Sequence, residues 1–501
     1  MYICICESVN TLINDLESSS HVNKDINGIY KDINNGNGVA IFITKIKYIH
    51  LYYHLGPEFV VINLPKNDPE FVIDLNRDGT SWLINKYGFG EIYNLYDPKT
   101  YENFGLNIQD NHHIMDFASS DNRTDILDWY IESGYQLHYS NKAINSASVK
   151  NNIDVLNWWL YSGLDLKYDR SAIDIASAYG NIDALNWWLN SGLELKYSKN
   201  SIYTNFYTEN KPSQTMIINT LNWWLQSGLE IKYDESVIDT ACRKNDIEIF
   251  NWWINSGLEL KYTADAINNA SSNGHFDILD KWLELYTNFN IELIYDEHTI
   301  DYSSFGCDII KLLSWWIKSN LEIKYTSILI SSIIDLNEIN VFEFMLKNNM
   351  EIKCNDTIMN GINSPEMFDF WIDNNLPIKY SESSMNNADV NMLNVWFKSG
   401  LKLKYSEKSM DLAFRRKAIN VLDWWLKSGL ELKYSEKSID HAFRMNRIDV
   451  LDWWLKSGLP IKHSKYAYYD KKTNYNLSTI QWWRDSGLSL EYLEKIIIDK
   501  N

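Results

Sequence analysis

One phrase recurs through this chain and constrains its fold more than any bulk property. Residues 449–462 read DVLDWWLKSGLPIK, and nearly the same words begin at Asp154, Asp183 and Asn420. Aligned on the first tryptophan, the copies fall at Trp129, Trp158, Trp187, Trp223, Trp252, Lys281, Trp315, Phe344, Phe370, Val395, Trp424, Trp453 and Trp482, and most steps are 29 residues. A fixed period of this size marks a stack of supersecondary units, each too small to bury its apolar face alone. Such a chain grows in one dimension, so its 501 residues say little about domain number.

A single repeat, Tyr434 to Lys462, predicts two helices. Ser435 is a capping residue, Glu436 adds negative charge at the helix start, and Tyr434 with Ile439 has the spacing of a hydrophobic staple. The first helix is expected from Glu436 to Met445, with Ala442 where another backbone approaches. The second is expected from Ile448 to Ser457, apolar over a broad face and closed by Gly458. The glycine slot is held elsewhere by Asn290, Asn320, Asn349 and Asn375, the other residue type that tolerates a left-handed cap. The Leu-x-Leu-Lys-Tyr connector alternates Leu and Tyr inward, Glu and Lys outward. Its lysines (Lys167, Lys196, Lys232 and their equivalents) read as a solubilising ladder, since Glu194 and Glu230 stand alongside.

The tryptophan pairs allow a platform for stacking bases or a packed core. Phe344, Phe370, Val395 and Met345 replace them elsewhere, keeping bulk and losing the indole, which favours core at both positions. The rhythm breaks at four places. Extra residues fall around 203–211, Leu285–Asn288 lengthens one second helix, and the copies at Phe370 and Val395 are short in the turn between helices.

Residues 1–100 lack the repeat. Val39–Leu55, Glu58–Leu64 and Glu70–Leu75 are apolar runs bounded by prolines and turns, which is strand chemistry. The expected organisation is a β-rich or α+β capping domain (1–100), for which an independent binding module is the alternative, a repeat array (101–490) and a tail (491–501). MYICIC is too short for a signal-peptide core, and no apolar run approaches the ~20 residues a membrane span needs. Five scattered cysteines fit a reducing compartment, and Cys4 and Cys6 read as buried apolar residues. The expectation is an intracellular, cytoplasmic monomer with no membrane association.

The formal charge of −19 is uneven, since residues 398–472 hold 17 Lys and Arg against 9 Asp and Glu, which leaves −27 for the rest. A protein that coats nucleic acid needs a basic stripe, so none is expected as a partner. Phosphate loops, dinucleotide glycine fingerprints, zinc-protease motifs and Cys-x-x-Cys pairs do not occur, and His112-His113 cannot both face one metal from a regular helix. No cofactor, metal or catalytic residue is assigned, and an enzyme is not expected.

Ser271–Leu279 (SSNGHFDIL) and Ala178–Leu185 (AYGNIDAL) resemble the inter-helix turn of an ankyrin repeat, and the later Ser-Gly-Leu-Glu-Leu resembles that family's closing Gly-Ala-Asp-Val. The period is shorter than the family's, and its Thr-Pro-Leu-His tetrapeptide is absent. The resemblance implies a mainly α fold: an ankyrin-like helix-turn-helix solenoid of about 13 repeats with shortened β-hairpin fingers, behind a small β-rich or α+β N-terminal domain. The Trp-Trp and Lys-Tyr-Ser wording is similar to ankyrin-repeat proteins of giant DNA viruses that infect amoebae. In that family the first helices and connectors form a concave binding surface. The implied function is a scaffold for protein partners, with Arg243, Arg415, Arg416, Lys417 and Arg444 as candidates for an acidic partner. A substrate-recruiting adaptor for a ubiquitin ligase is the alternative, and a helical-repeat nucleic-acid binder ranks third.

Overall fold

A computed structural model describes residues 1–18, 22–24, 30–32, 41–202, 213–301, 308–460, 462 and 477–486. The protein is mainly helical, with a small antiparallel sheet near its N-terminus. It divides into two compact units, Met1–Val237 with Glu248–Lys261, and Ile238–Ile247 with Tyr262–Asn501. The expected insertion around 203–211 and the expected tail at 491–501 lie outside the described residues.

The first unit opens on a sheet of strands β1 (Tyr2–Cys6), β2 (Val22–Lys24), β3 (Tyr30–Asp32), β4 (Ile41–Lys45), β5 (Glu58–Asn63), β6 (Ile73–Leu75), β7 (Ser81–Ile84) and β8 (Lys86–Asn94). Their order is β2-β3-β8-β5-β1-β4-β7-β6, and neighbours pair antiparallel. MYICIC thus becomes a central strand. Ile43 and Val60 meet Val9, from the helix Val9–Ser18, in a buried cluster. Burial raises the Cys4 thiol to about 11 and the Cys6 thiol to about 12, so both stay protonated apolar groups. The strand expected over 39–55 is shorter than its composition implies. It ends at Lys45, and tight 3-10 turns follow at Ile46–Leu51 and Tyr53–Leu55. Beyond Lys45 the buried residues are Ile49, Tyr52 and Tyr53, a spacing no strand face provides.

Later in this unit each repeat is a pair of short helices, as in Lys142–Val149 with Ile153–Tyr161 and Ser171–Ala178 with Ile182–Asn190. Ala147 and Ala176 are fully buried where first helices meet. Asn151 (φ +59°) and Gly180 (φ +69°) turn the chain between helices in the left-handed region, and the next residue's N–H closes back on Ala147 and Ala176 at 2.8 and 3.0 Å. The expected C-terminal caps are likewise left-handed, from Gly134 to Gly257.

The second unit continues the scheme with Lys408–Arg416 and Ile419–Lys427, then Lys437–Arg444 and Ile448–Ser457, within a residue of the expected bounds. The lengthened second helix is Phe276–Phe289, capped by left-handed Asn290. The shortened copies differ from expectation. The missing residues come out of the first helix, which shrinks to Ile358–Gly361 and Ser383–Asn386. Ser364 and Asp389 then cap the following helices, accepting from Met367 N (3.1 Å) and Met392 N (2.8 Å) in place of the usual left-handed turn.

Successive repeats are tied by a clasp between the cap and a residue in the middle of the preceding first helix. Ser140 donates its N–H and hydroxyl to Asp116 at 2.8 and 2.6 Å, while its own Oγ accepts from Lys142 N. Ser198 repeats this on Asp174, Thr263 on Asp239, and Thr326 on Asp301. In two repeats where the cap is itself acidic, the clasp residue is an amide. Asp169 meets Asn145, and Asp296 meets Asn268, so facing carboxylates are avoided at these sites.

Candidate interaction surfaces

The two tryptophans of each described pair have different fates, which corrects the expectation that both are core. The second is buried throughout, from Trp159 and Trp188 to Trp425 and Trp454. The first is half-buried at the surface. Its indole N–H reaches back one repeat to an Asp or Asn on the preceding second helix. Trp158 donates to Asp128 (2.7 Å), Trp187 to Asn157 (2.9 Å) and Trp223 to Asn186 (2.8 Å). Helical geometry dictates the split, because adjacent residues lie about 100° apart and cannot share one core face.

The connector lysines are not a free solubilising ladder. Lys167 Nζ lies 4.3 Å from the Tyr139 ring centroid and donates to the Tyr139 carbonyl at 3.2 Å. Lys232 sits likewise on Tyr197, and Lys404 on Tyr380. Each tyrosine in turn donates its hydroxyl to the next connector, as Tyr168 does to the Glu194 carbonyl at 3.1 Å. Burial, then the nearby Glu194 charge, holds the Tyr168 phenol above its ordinary range, so it stays a donor. Cation–π contacts at such partly exposed sites contribute about 0.5–1 kcal/mol each.

The basic candidates lie where first helices end. Arg415 and Arg416 close the helix Lys408–Arg416 and are exposed. Their charge complements the negative end of the helix dipole. Lys417 follows in the left-handed region at φ +57°. The same turn slot holds Asn122, Asn151, Gly180, Asn245, Gly274, Asn337 and Asn446 in other repeats. A lysine gains nothing from that conformation and is strained by it. Arg416 donates to Asn387 Oδ1 at 3.4 Å, and Lys417 Nζ lies 3.6 Å from Asp449. Arg243 is exposed at the end of Ser236–Arg243, and no contact among the described residues joins it to the cluster. Arg444 ends Lys437–Arg444, and its side chain lies outside the described residues.

Sequence reasoning missed the clasp, the Trp–Asx ladder and the Tyr–Lys contact. Each was present as a periodic letter, but its partner sits 24 to 30 residues away. His112 and His113 do part company: His112 stacks on His138 at 4.0 Å, and His113 packs beside His54 and Phe117.

No family model matches the chain. Over 106 residues it is 40% identical to the uncharacterized protein L696 of Acanthamoeba polyphaga mimivirus, a stretch that is 21% of this chain and 33% of that protein. The chain thus spans about a third of the length of that relative. Among solved structures it is similar to the pentatricopeptide repeat protein PPR10 in complex with an 18-nt psaJ RNA element, at 12% identity and a TM-score of 0.35, covering 77% of this chain and 65% of that one. PPR10 from maize aligns with a TM-score of 0.25 at 11% identity, over 79% and 59%. These values reflect helical-repeat architecture alone and carry no assignment of partner. They do overturn one expectation. Matched helical-repeat chains were crystallised with RNA, so the exclusion of nucleic acid as a partner class is withdrawn. Among the described residues no helix is long and apolar enough to cross a membrane.

Proposed function

We propose that the chain is a non-enzymatic binding scaffold of ankyrin-like repeats, of giant-virus type, that holds a protein partner on the ends of its first helices and the turns after them. One observation carries this reading. Cap, clasp, buried tryptophan and Tyr–Lys contact are all spent on joining repeats, whereas the two residues before the left-handed turn change chemistry from copy to copy. They are Ala178-Tyr179, Arg243-Lys244, Ser272-Asn273, Asp335-Leu336 and Arg415-Arg416, and in each pair at least the second residue is exposed. Variation confined to accessible positions on a fixed frame is how repeat scaffolds acquire partners.

Arg415-Arg416-Lys417 is the point at which this surface would engage acidic groups of the partner. The test is affinity capture from lysate of infected amoebae with the full chain and with R415E/R416E. A protein retained by the first, lost by the second and indifferent to nuclease supports the reading. Salt-sensitive recovery of RNA or DNA in its place would replace it with nucleic-acid binding.

A further inference from the structure

A second surface of opposite character lies on the second helices of the first unit. There the half-buried first tryptophans form a ladder, Trp158, Trp187, Trp223 and Trp252, each indole pinned by an Asp or Asn one repeat earlier at 2.7–2.9 Å. Where the pinning residue is Asn157, Asn186 or Asn222, Oδ1 accepts the indole N–H. The amide N–H groups of these three asparagines have no partner among the described residues, and an amide nitrogen is a donor suited to main-chain carbonyls. None of these helices (Thr124–Glu132, Ile153–Tyr161, Ile182–Asn190, Gln214–Gln226, Ile247–Asn255) contains a Lys or Arg. Glu132, Asp154, Asp183 and Glu248 are exposed on them, and none has a cationic partner among the described residues. The second unit differs at this face. Val390–Lys398, Ile419–Lys427 and Ile448–Ser457 place Lys398, Lys427 and Lys456 in their last turns.

We infer that this face of the first unit binds an extended, cationic peptide segment of a partner protein, with Arg or Lys side chains over the tryptophans. The exposed carboxylates supply the complementary charge, the indoles supply cation–π contacts, and the asparagine amides hold the peptide main chain. The spacing sets the register. Packed helices of successive repeats step by about 8–10 Å, and a segment in the extended polyproline II conformation advances about 3.1 Å per residue with three residues per turn, so one cationic side chain in every three meets one tryptophan. This surface is separate from the basic turns and does not depend on their partner.

The test uses the full chain and a fluorescein-labelled Arg-Ser-Ser repeat peptide, followed by anisotropy. Controls are a peptide of the same composition with arginines clustered and a Glu-Ser-Ser peptide. W158V/W187V/W223V introduces a residue that the chain already carries at the same slot, Val395. Binding should weaken about tenfold or more in this variant and be unchanged in W424V/W453V. D154N/D183N, which alters charge with little change in shape, should weaken binding and flatten its salt dependence. Circular dichroism confirms that each variant folds. Absence of saturable binding, equal binding of the clustered or acidic peptide, equal loss in both tryptophan variants, or indifference to D154N/D183N would each overturn the proposal.

Discussion

The repeats around Trp188 and those around Trp454 share nearly the same words and differ in how they treat a buried indole. In the early repeats the N–H finds a hydroxyl on the preceding first helix: Trp159 donates to Ser119 (2.9 Å), Trp188 to Ser148 (2.9 Å) and Trp224 to Ser177 (2.7 Å). The scheme persists at Trp316 on Ser271, and at Trp282 on Cys242, where a thiol at 3.4 Å stands in. In the late repeats the indole N–H groups of Trp396, Trp425 and Trp454 have no partner among the described residues. The serine slot before Trp454 is Phe414, whose ring lies 4.5 Å from the indole. Trp396 and Trp425 follow the shortened first helices Ile358–Gly361 and Ser383–Asn386. One slot therefore admits two solutions: a hydrogen bond that satisfies a polar atom, or aromatic contact that replaces it with area. An unsatisfied buried donor costs about 1–3 kcal/mol, and a buried aromatic side chain offsets that through its transfer free energy.

The contrast can be broken at that slot. Phe414→Ala should destabilise by about 3–5 kcal/mol, because it opens a cavity beside an indole that is already unpaired. Ser177→Ala changes little volume and should cost about 1–3 kcal/mol, the price of orphaning the Trp224 N–H. Urea unfolding of the two variants separates the cases, and a negligible loss in Ser177→Ala beside a large one in Phe414→Ala would mean that the slot is governed by volume alone.

The turns give a smaller contrast. Gly180 and Asn151 suit their left-handed conformation, whereas Lys417 does not. Lys417→Gly should raise stability by about 1 kcal/mol, seen as a higher midpoint, even though it removes the contact to Asp449. A lower midpoint would show that the ion pair outweighs the backbone strain.

The smallest expected effect sharpens the comparison by pH. Burial, opposed by Asp116 and reinforced by Lys142, His54 and His112, holds the His113 imidazole below its ordinary value. Burial and then His112 do the same to His138. Their unfolded pKa is about 6.5, so the unfolded chain binds more protons as the medium acidifies. Their contribution is complete above that pH and is lost as pH falls through the depressed folded values. Hydrogen-exchange protection factors, corrected for the intrinsic rate at each pH, should fall between pH 7 and 5 over residues 112–140 and not over 405–458. Replacing His138 by Asn should reduce the difference.

Much of the local frame was legible in the sequence. Helix bounds, serine and threonine caps, and the Gly and Asn terminators depend on contacts within a few residues, and the repetition of each slot exposed its role. The long second helix before Asn290 was legible for the same reason. What the sequence left open were partners one repeat away. Ser140 with Asp116, Trp158 with Asp128 and Lys167 with Tyr139 meet only because repeats pack in register, so the same letters read as cap, core and solubiliser. Within the candidate surfaces, the strained backbone of Lys417 and the exposure of the first tryptophans were equally invisible. The sequence by itself determined the repeat and its two helices, because the interactions that shape them are short-range. Only the tertiary structure decided which tryptophan of each pair is buried and which faces outward, because that choice is made by the neighbouring repeat.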